Sequence, residues 1–312
     1  MSGPSHIRPA TRGDLPEIVD LLNAYDVALT GAPDTSAADV ETDWNMAGFD
    51  VARDTWLAEA AGGIPVGYAY AGDQHRTGEL EADVWVHPEQ AEPELADRLL
   101  ALTERRARQL TDARGYAAPS LDIFCIGVDH HKRDLLRRRG YELRRTVYRM
   151  AIDLTGDVEA VPAPEGIAIR RFGAKDDAAV MRDTMNDAFT DHFRQSAEPF
   201  AAWKQRLMGH ADFDPDLWAL AWDGDEAAGA LIAYDHGDLG WVQGVGVRRA
   251  WRRRGLGRAL LTDAFARLAA RGQLRVELGV DAEGATQPLL LYEQAGMHVT
   301  FTYELHAKGL RG

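Results

Sequence analysis

At 312 residues the chain is longer than one hydrophobic core usually serves, since cores stop growing near ~250 to 300 residues, so two domains are expected. With 46% hydrophobic and 27% charged residues it is too apolar for a disordered chain, and no uncharged apolar run approaches the ~18 residues of a membrane span. A formal charge of -14 argues against a general nucleic-acid binder, whose surface must attract phosphate.

The opening MSGPSHIRPATRGDL has neither the apolar core nor the small-residue cleavage site of a secretory signal, so a cytoplasmic protein is expected, with no membrane or nucleic-acid partner. Oligomeric state stays open between monomer and homodimer. A strand is expected at Ile7, then helical segments, then strands at PVGYAYA and VWVHPE and a helix that carries Leu99 and Leu100. In the alternating run Leu121, Ile123, Cys125 the cysteine faces inward; as the sole cysteine it forms no internal disulfide. The stretch DLLRRRGYEL brings a shorter helix and final strands. Its neighbourhood holds Arg133, Arg137, Arg138, Arg139, Arg144 and Arg145, which read as a salt-bridged helix face or as an anion site. Residues 155–165, TGDVEAVPAPE, combine turn formers, acids, Pro162 and Pro164, the composition of a linker.

Beyond the linker the chain repeats itself. IRPATRGD from Ile7 matches IRRFGAKD from Ile169, and Gly67 matches Gly229, both 162 residues apart; Val86 matches Val247, Leu99 matches Leu260 and Leu100 matches Leu261 at 161; Gly140 matches Gly296 at 156 and Tyr148 matches Tyr303 at 155. Two homologous domains follow, 1–154 and 166–312, each of α/β class with a central mixed sheet flanked by helices. In the second, WVQGVGV reads as a strand. A helix is expected from Gly257 to Arg271, from Leu260, Leu261, Ala264, Phe265 and Leu268 at helical spacing and Gly272 as a C-terminal cap. Leu274, Val276, Leu278 and Val280 then alternate as a half-buried strand.

VGVRRAWRRRGLGRALL is therefore strand, basic glycine turn and helix start. The first N–H groups of a helix lack internal partners and, with the helix dipole, favour phosphate. Gly255 and Gly257 would let a pyrophosphate approach the backbone, and Arg252, Arg253, Arg254 and Arg258 would add charge-assisted hydrogen bonds. No metal is called for.

These residues carry a resemblance. Arg252-Arg253-Arg254-Gly255-Leu256-Gly257 is similar to the [Q/R]-x-x-G-x-[G/A] signature of the Gcn5-related N-acetyltransferases (GNAT family). VDAEGATQPLLLYEQAGMHV resembles that family's later V-D-x-x-N and L-Y-x-x-x-G-F segments, with Gly284 and Met297 departing from the usual asparagine and phenylalanine. Over nearly its full length the chain resembles tandem members of the family, the two-domain kind that includes mycothiol synthase. The resemblance implies mostly antiparallel sheets and an acetyl-CoA-dependent N-acetyltransferase. The turn from Arg252 to Arg258 would hold pyrophosphate, Val245, Gly246 and Val247 would pair with the pantetheine arm, and Tyr292 would protonate the departing thiolate or contact CoA. Many relatives carry a basic carboxylate on the strand before the turn, but here that strand offers Trp241 and Gln243. Asp191 or His192 is the candidate base, against readings as a helix cap, an ordinary histidine, or a substrate arriving neutral. The acceptor expected is a primary amine of a small molecule (a metabolite, aminoglycoside-like or natural-product amine) rather than the mycothiol precursor, with Trp241, Gln243, Asp191, His192 and Trp203 lining its pocket. Protein N-acetylation and a non-enzymatic CoA sensor are the competing readings.

The first half lacks these features. The repeat sets Ala91, Glu94 and Ala96 against Arg252, Gly255 and Gly257, and Leu136 against Tyr292, and Glu89, Glu92 and Glu94 would repel pyrophosphate. A degenerate first copy and a working second copy are expected.

Overall fold

The structure, a computed structural model, describes residues 5–46, 48–73, 76–89, 91–92, 94–155, 158–173, 177–189, 199–237, 239–282 and 286–311. It divides into two units, Met1–Val147 with Phe301–Gly312, and Tyr148–Thr300.

The first unit contains β1 (His6–Arg8), α1 (Leu15–Thr30), α2 (Ala37–Trp44), α3 (Val51–Asp54), β2 (Thr55–Ala60), β3 (Ile64–Gly72), β4 (Glu79–Val86), α4 (Leu95–Arg114), β5 (Ser120–Ile126), α5 (His130–Arg138) and the start of β6 (Glu142–Asp153). Local chemistry sets the boundaries. A capping box between Ser36 and Asp39 opens α2, Asp129 caps the N-terminus of α5, and Gly115 in the left-handed region ends α4. The second unit contains the rest of β6, β7 (Ile167–Arg171), α6 (Asp177–Ala188), α7 (Phe200–Met208), β8 (Ala219–Asp223), β9 (Glu226–Asp235), β10 (Gly240–Val247), α8 (Leu256–Ala270), β11 (Arg275–Asp281), α9 (Thr286–Gln294) and the start of β12 (His298–Gly309). Among the described residues no helix is long and apolar enough to cross a membrane.

Both units use one topology. The sheet order is β1-β2-β3-β4-β5-β12 in the first and β7-β8-β9-β10-β11-β6 in the second. Within each, β4/β5 and β10/β11 are parallel, while the other pairs along β1–β4 and β7–β10, and the β5/β12 pair, are antiparallel. The repeat matches β6 to β12 through Tyr148 and Tyr303, yet the sixth strand of the first unit is the chain's last, and that of the second comes from mid-chain. The division therefore does not fall at residues 155–165, and neither 1–154 nor 166–312 is a whole unit. Part of the expected linker packs within the second unit: the Val161 N–H donates to Thr262 Oγ1 at 2.9 Å.

The shared glycines have a packing reason. A Cβ on Gly67 would lie 2.9 Å from Leu99 and 3.0 Å from Leu95; one on Gly229 would lie 2.9 Å from the Gly246 carbonyl oxygen and 3.2 Å from Leu260. In both units the helix after the fourth strand thus lies directly on the third. One core of the first unit lies between the sheet and α4 and α5, and another beneath α1 and α2. The core of the second unit gathers Trp218, Leu260, Phe265 and Val276, all at most 1% exposed. Cys125 is buried on β5 as expected, and burial pushes its thiol up to about 12. Leu274, expected to face inward, is 76% exposed, because β11 begins only at Arg275. Arg133 binds Glu304, Arg137 binds Asp134, Arg139 binds Glu104 and Arg144 reaches Glu79, so these arginines form ion pairs rather than an open anion site.

Candidate active site

Strands β10 and β11 part almost as soon as they meet. Their Cα partners are Gly240↔Val276 and Trp241↔Glu277 and no others, whereas β10 stays paired with β9 as far as Val247↔Gly229, with a bulge between Val242 and Gly244. From Val242 to Val247 one backbone edge of β10 therefore has no ladder partner among the described residues. Such an edge needs hydrogen bonds from elsewhere, and an extended amide-bearing arm can supply them. Val245, Gly246 and Val247 lie on it. On the α6 face a Cβ at Gly244 would lie 2.7 Å from Met185 Cε and one at Gly246 2.8 Å from Ala188 Cβ, so the glycines let α6 close over the strand.

The strand leads into the basic turn. Arg253 takes a left-handed conformation at φ 61 and Gly255 follows at φ 85 before α8 starts at Leu256. Among the described residues no side chain caps the helix and nothing lies within 4 Å of where a Gly255 Cβ would stand, so the first N–H groups of α8 have no side-chain acceptor there. The other residues of the turn divide differently from expectation. Gly257 is buried against α9, with a Cβ there 3.0 Å from Leu291 Cδ2, so its missing side chain serves helix packing. The Arg252 guanidinium donates to the Val247 carbonyl at 3.0 Å and the Ala188 carbonyl at 2.9 Å, which ties the turn to β10 and α6. Arg253, Arg254 and Arg258 are exposed and have no partner among the described residues.

Tyr292 sits on α9, 9% exposed, with its ring in the core and its hydroxyl without a hydrogen-bond partner among the described residues. Burial raises its pKa to about 12, so it is a protonated donor at neutral pH. Trp241 donates from Nε1 to Gln243 Oε1 at 2.9 Å, and the Arg149 guanidinium lies 4.4 Å from its ring centroid. Trp203, expected in the acceptor pocket, lies in the core at 4% exposure, stacked on Phe200 and edge-on to Trp218. Asp191 and His192 lie outside the described residues, as does Gly284.

One acid was missed. Glu277 is 8% exposed and directly across from Trp241; Arg149 Nε reaches its Oε2 at 2.5 Å and Arg275 Nε its Oε1 at 2.6 Å. The carboxylate absent from β10 thus has a neighbour on β11, held by two guanidiniums. The only signal for it in the sequence is an acid between Val276 and Leu278, which reads equally as the solvent side of a strand.

The first unit does not reproduce the turn. Glu94 stands at the start of α4 with φ -87, not in the left-handed region of Gly255, and Glu92 accepts from the Ser5 N–H at 3.2 Å and pairs with Arg98.

A parting pair of parallel strands, an unpaired strand edge and an uncapped helix N-terminus behind a basic turn can accept an extended amide-bearing chain along β10 and an anion at the start of α8. Residues 179–297 match the model of the acetyltransferase (GNAT) family. A mycothiol acetyltransferase of Geodermatophilus obscurus is 32% identical over 251 residues, covering 77% of each chain, and that of Streptomyces scabiei is 30% identical, covering 77% of this chain and 75% of that one. Among solved structures, a GCN5-related N-acetyltransferase from Sphaerobacter thermophilus superposes with TM-score 0.85 at 31% identity, over 99% of this chain and 96% of that one. A tandem GNAT protein from the clavulanic acid biosynthesis pathway superposes with TM-score 0.75 at 13% identity over 99% of both, a likeness of fold alone. The chain belongs to the GNAT acetyltransferase family and is an acetyltransferase with a tandem architecture.

Proposed function

We propose that the second unit binds acetyl-CoA and transfers its acetyl group to a primary amine of a small molecule. The observation that carries this reading is the parting of β10 from β11 after Trp241 and Glu277, which leaves an open strand edge that runs into the N-terminus of α8. The thioester supplies an activated acetyl group. The β10 edge aligns its amide-bearing arm, the free N–H groups of α8 hold the pyrophosphate, and Arg253, Arg254 and Arg258 screen the phosphate charge.

The amine nitrogen attacks the thioester carbonyl, a C–N bond forms and the C–S bond breaks. The departing sulfur, a thiolate whose conjugate acid has a pKa near ~8.5, takes a proton from Tyr292, whose buried hydroxyl is kept protonated. The proton lost by the amine goes to Asp191 or His192, our proposed base. Trp241 and Gln243 face the acceptor, and Glu277 holds Arg149 against the Trp241 ring. Relatives named mycothiol acetyltransferases make the mycothiol acetyltransferase acceptor one member of the amine panel; the tryptophan at the pre-turn strand is our reason for ranking other small amines above it.

The test is release of free CoA thiol from acetyl-CoA across a panel of aminoglycosides, amino sugars, amino acids, diamines and the mycothiol acetyltransferase acceptor. Amine-dependent release that disappears in Gly255→Glu supports the proposal. No release with any amine, or release undiminished by the substitution, overturns it.

A further inference from the structure

The first unit has its own parting pair of strands. β4 and β5 are Cα partners from Glu79↔Ser120 to Ala82↔Ile123, and the pairing then stops. The next residue of β4 is Asp83. Its cross-strand partner is Tyr70, as Ile232 is the partner of Gly244, and Trp85 faces Tyr68 as Gly246 faces Ala230. A carboxylate and an indole thus stand in the first unit where the second has two glycines.

Into the mouth of this divergence reaches Lys132, from the first turn of α5. Its ammonium forms an ion pair with Asp83, and the two residues are 9% and 7% exposed. The same nitrogen lies 5.4 Å from the centroid of the Trp85 ring and 5.8 Å from that of Tyr25. The Tyr25 hydroxyl is tied down by donation to Asp129 Oδ2 at 2.5 Å, while Asp129 Oδ1 accepts from the Lys132 backbone N–H at 2.9 Å. An ammonium ion here has a carboxylate and two aromatic faces, the elements by which proteins recognise amine cations. The sequence repeat sets Lys132 against Pro288, so the second unit has no such group.

We propose that the first unit contains a primary-ammonium site at the mouth of its strand divergence and fills that site with its own Lys132, which closes the divergence to a pantetheine arm. The first unit is then silent toward acetyl-CoA for a reason separate from its acidic turn. The lysine side chain crosses the gap that the arm would follow, and displacing it would leave Asp83 buried with an unpaired charge.

The experiment has two arms. In Lys132→Ala the group removed beyond Cβ corresponds to n-propylammonium. The variant's Tm is expected to fall by about 10 °C. It should recover in n-propylammonium chloride but not in equal concentrations of tetramethylammonium chloride or sodium chloride. Equal recovery in all three salts, or in none, overturns the ammonium site. The second arm does not depend on that variant folding: acetyl-CoA is titrated calorimetrically into Gly255→Glu, with Lys132 intact. Loss of all binding supports closure, and one remaining equivalent overturns it. A wild-type protein that binds no acetyl-CoA while the amine rescue holds would sink the function proposed for the second unit and leave the ammonium site standing.

Discussion

Trp241 and Glu277 are the last Cα partners of β10 and β11 before the strands separate, and Arg149 joins them, stacked on the indole at 4.4 Å and bound to the carboxylate at 2.5 Å. The apex of the cleft is therefore a stacked aromatic ring with a fixed charge pair behind it. On the function we propose, Trp241→Ala should raise KM for the amine about tenfold and leave acetyl-CoA affinity unchanged, because Trp241 is still paired with β11 and does not lie on the unpaired edge. Glu277→Gln should act in the same direction by freeing Arg149. A loss of acetyl-CoA binding in either variant, measured by calorimetry, would place the acceptor elsewhere.

Tyr292→Phe should lower kcat by about 10² to 10⁴ with little change in acetyl-CoA affinity. Tm should hardly move, since the hydroxyl removed has no hydrogen-bond partner among the described residues. The pH dependence has a definite sign. Because the folded-state pKa is about 12 against ~10 unfolded, this group's contribution to stability is constant below pH ~10 and falls away as pH rises through about 12. A wild-type kcat profile should therefore show no descending limb from Tyr292 below pH ~10.

The two glycines of the turn should separate by what they break. Gly255→Ala places a side chain at φ 85 with open space around it, so it should cost about 1 to 2 kcal/mol of stability and weaken acetyl-CoA by disturbing the turn. Gly257→Val meets Leu291 and should cost about 1 to 3 kcal/mol through overpacking. Denaturant midpoints together with calorimetric affinities distinguish the two.

The arginines should divide by salt. Arg253→Ala, Arg254→Ala and Arg258→Ala should each weaken acetyl-CoA by up to about tenfold in dilute buffer, an effect that shrinks as ionic strength rises. Arg252→Ala loosens the turn through two lost carbonyl contacts, so its effect should persist in high salt.

Fragments cut at the expected linker should fold poorly. Residues 1–154 lack Phe301–Gly309, whose Tyr303 to Gly309 pair with Ile126 to Ser120, and residues 166–312 lack Tyr148–Asp153. Near-ultraviolet circular dichroism of each fragment is expected to show lost side-chain order that returns when the fragments are mixed. A cooperative unfolding transition in either fragment alone would contradict this.

Much of the site was written locally. The helix of Leu260, Leu261, Ala264, Phe265 and Leu268, the β10 strand and the glycine turn are short-range patterns whose period or backbone requirement is carried by the residues themselves. The repeat made Gly67 and Gly229 stand out, and both lie where a helix touches a strand too closely for a Cβ. Trp203 misled because an aromatic residue near a suspected cleft reads the same whether it lines the cleft or supports it from the core. Arg252 shows the same limit, because an arginine in a basic turn reads the same in sequence whether or not it donates to backbone carbonyls, as it does to Val247 and Ala188.

The sequence by itself determined the two-fold repeat, the class of each unit and the strand–turn–helix from β10 to α8. These depend on side-chain periodicity and on which residues tolerate a left-handed backbone, both local properties. Only the tertiary structure decided which strand completes which unit, that Glu277 stands beside Trp241, and that Lys132 reaches Asp83 across 49 residues of chain. Pairing between strands and ions distant in sequence is set by the balance of burial and charge across the whole fold, and no local pattern encodes it.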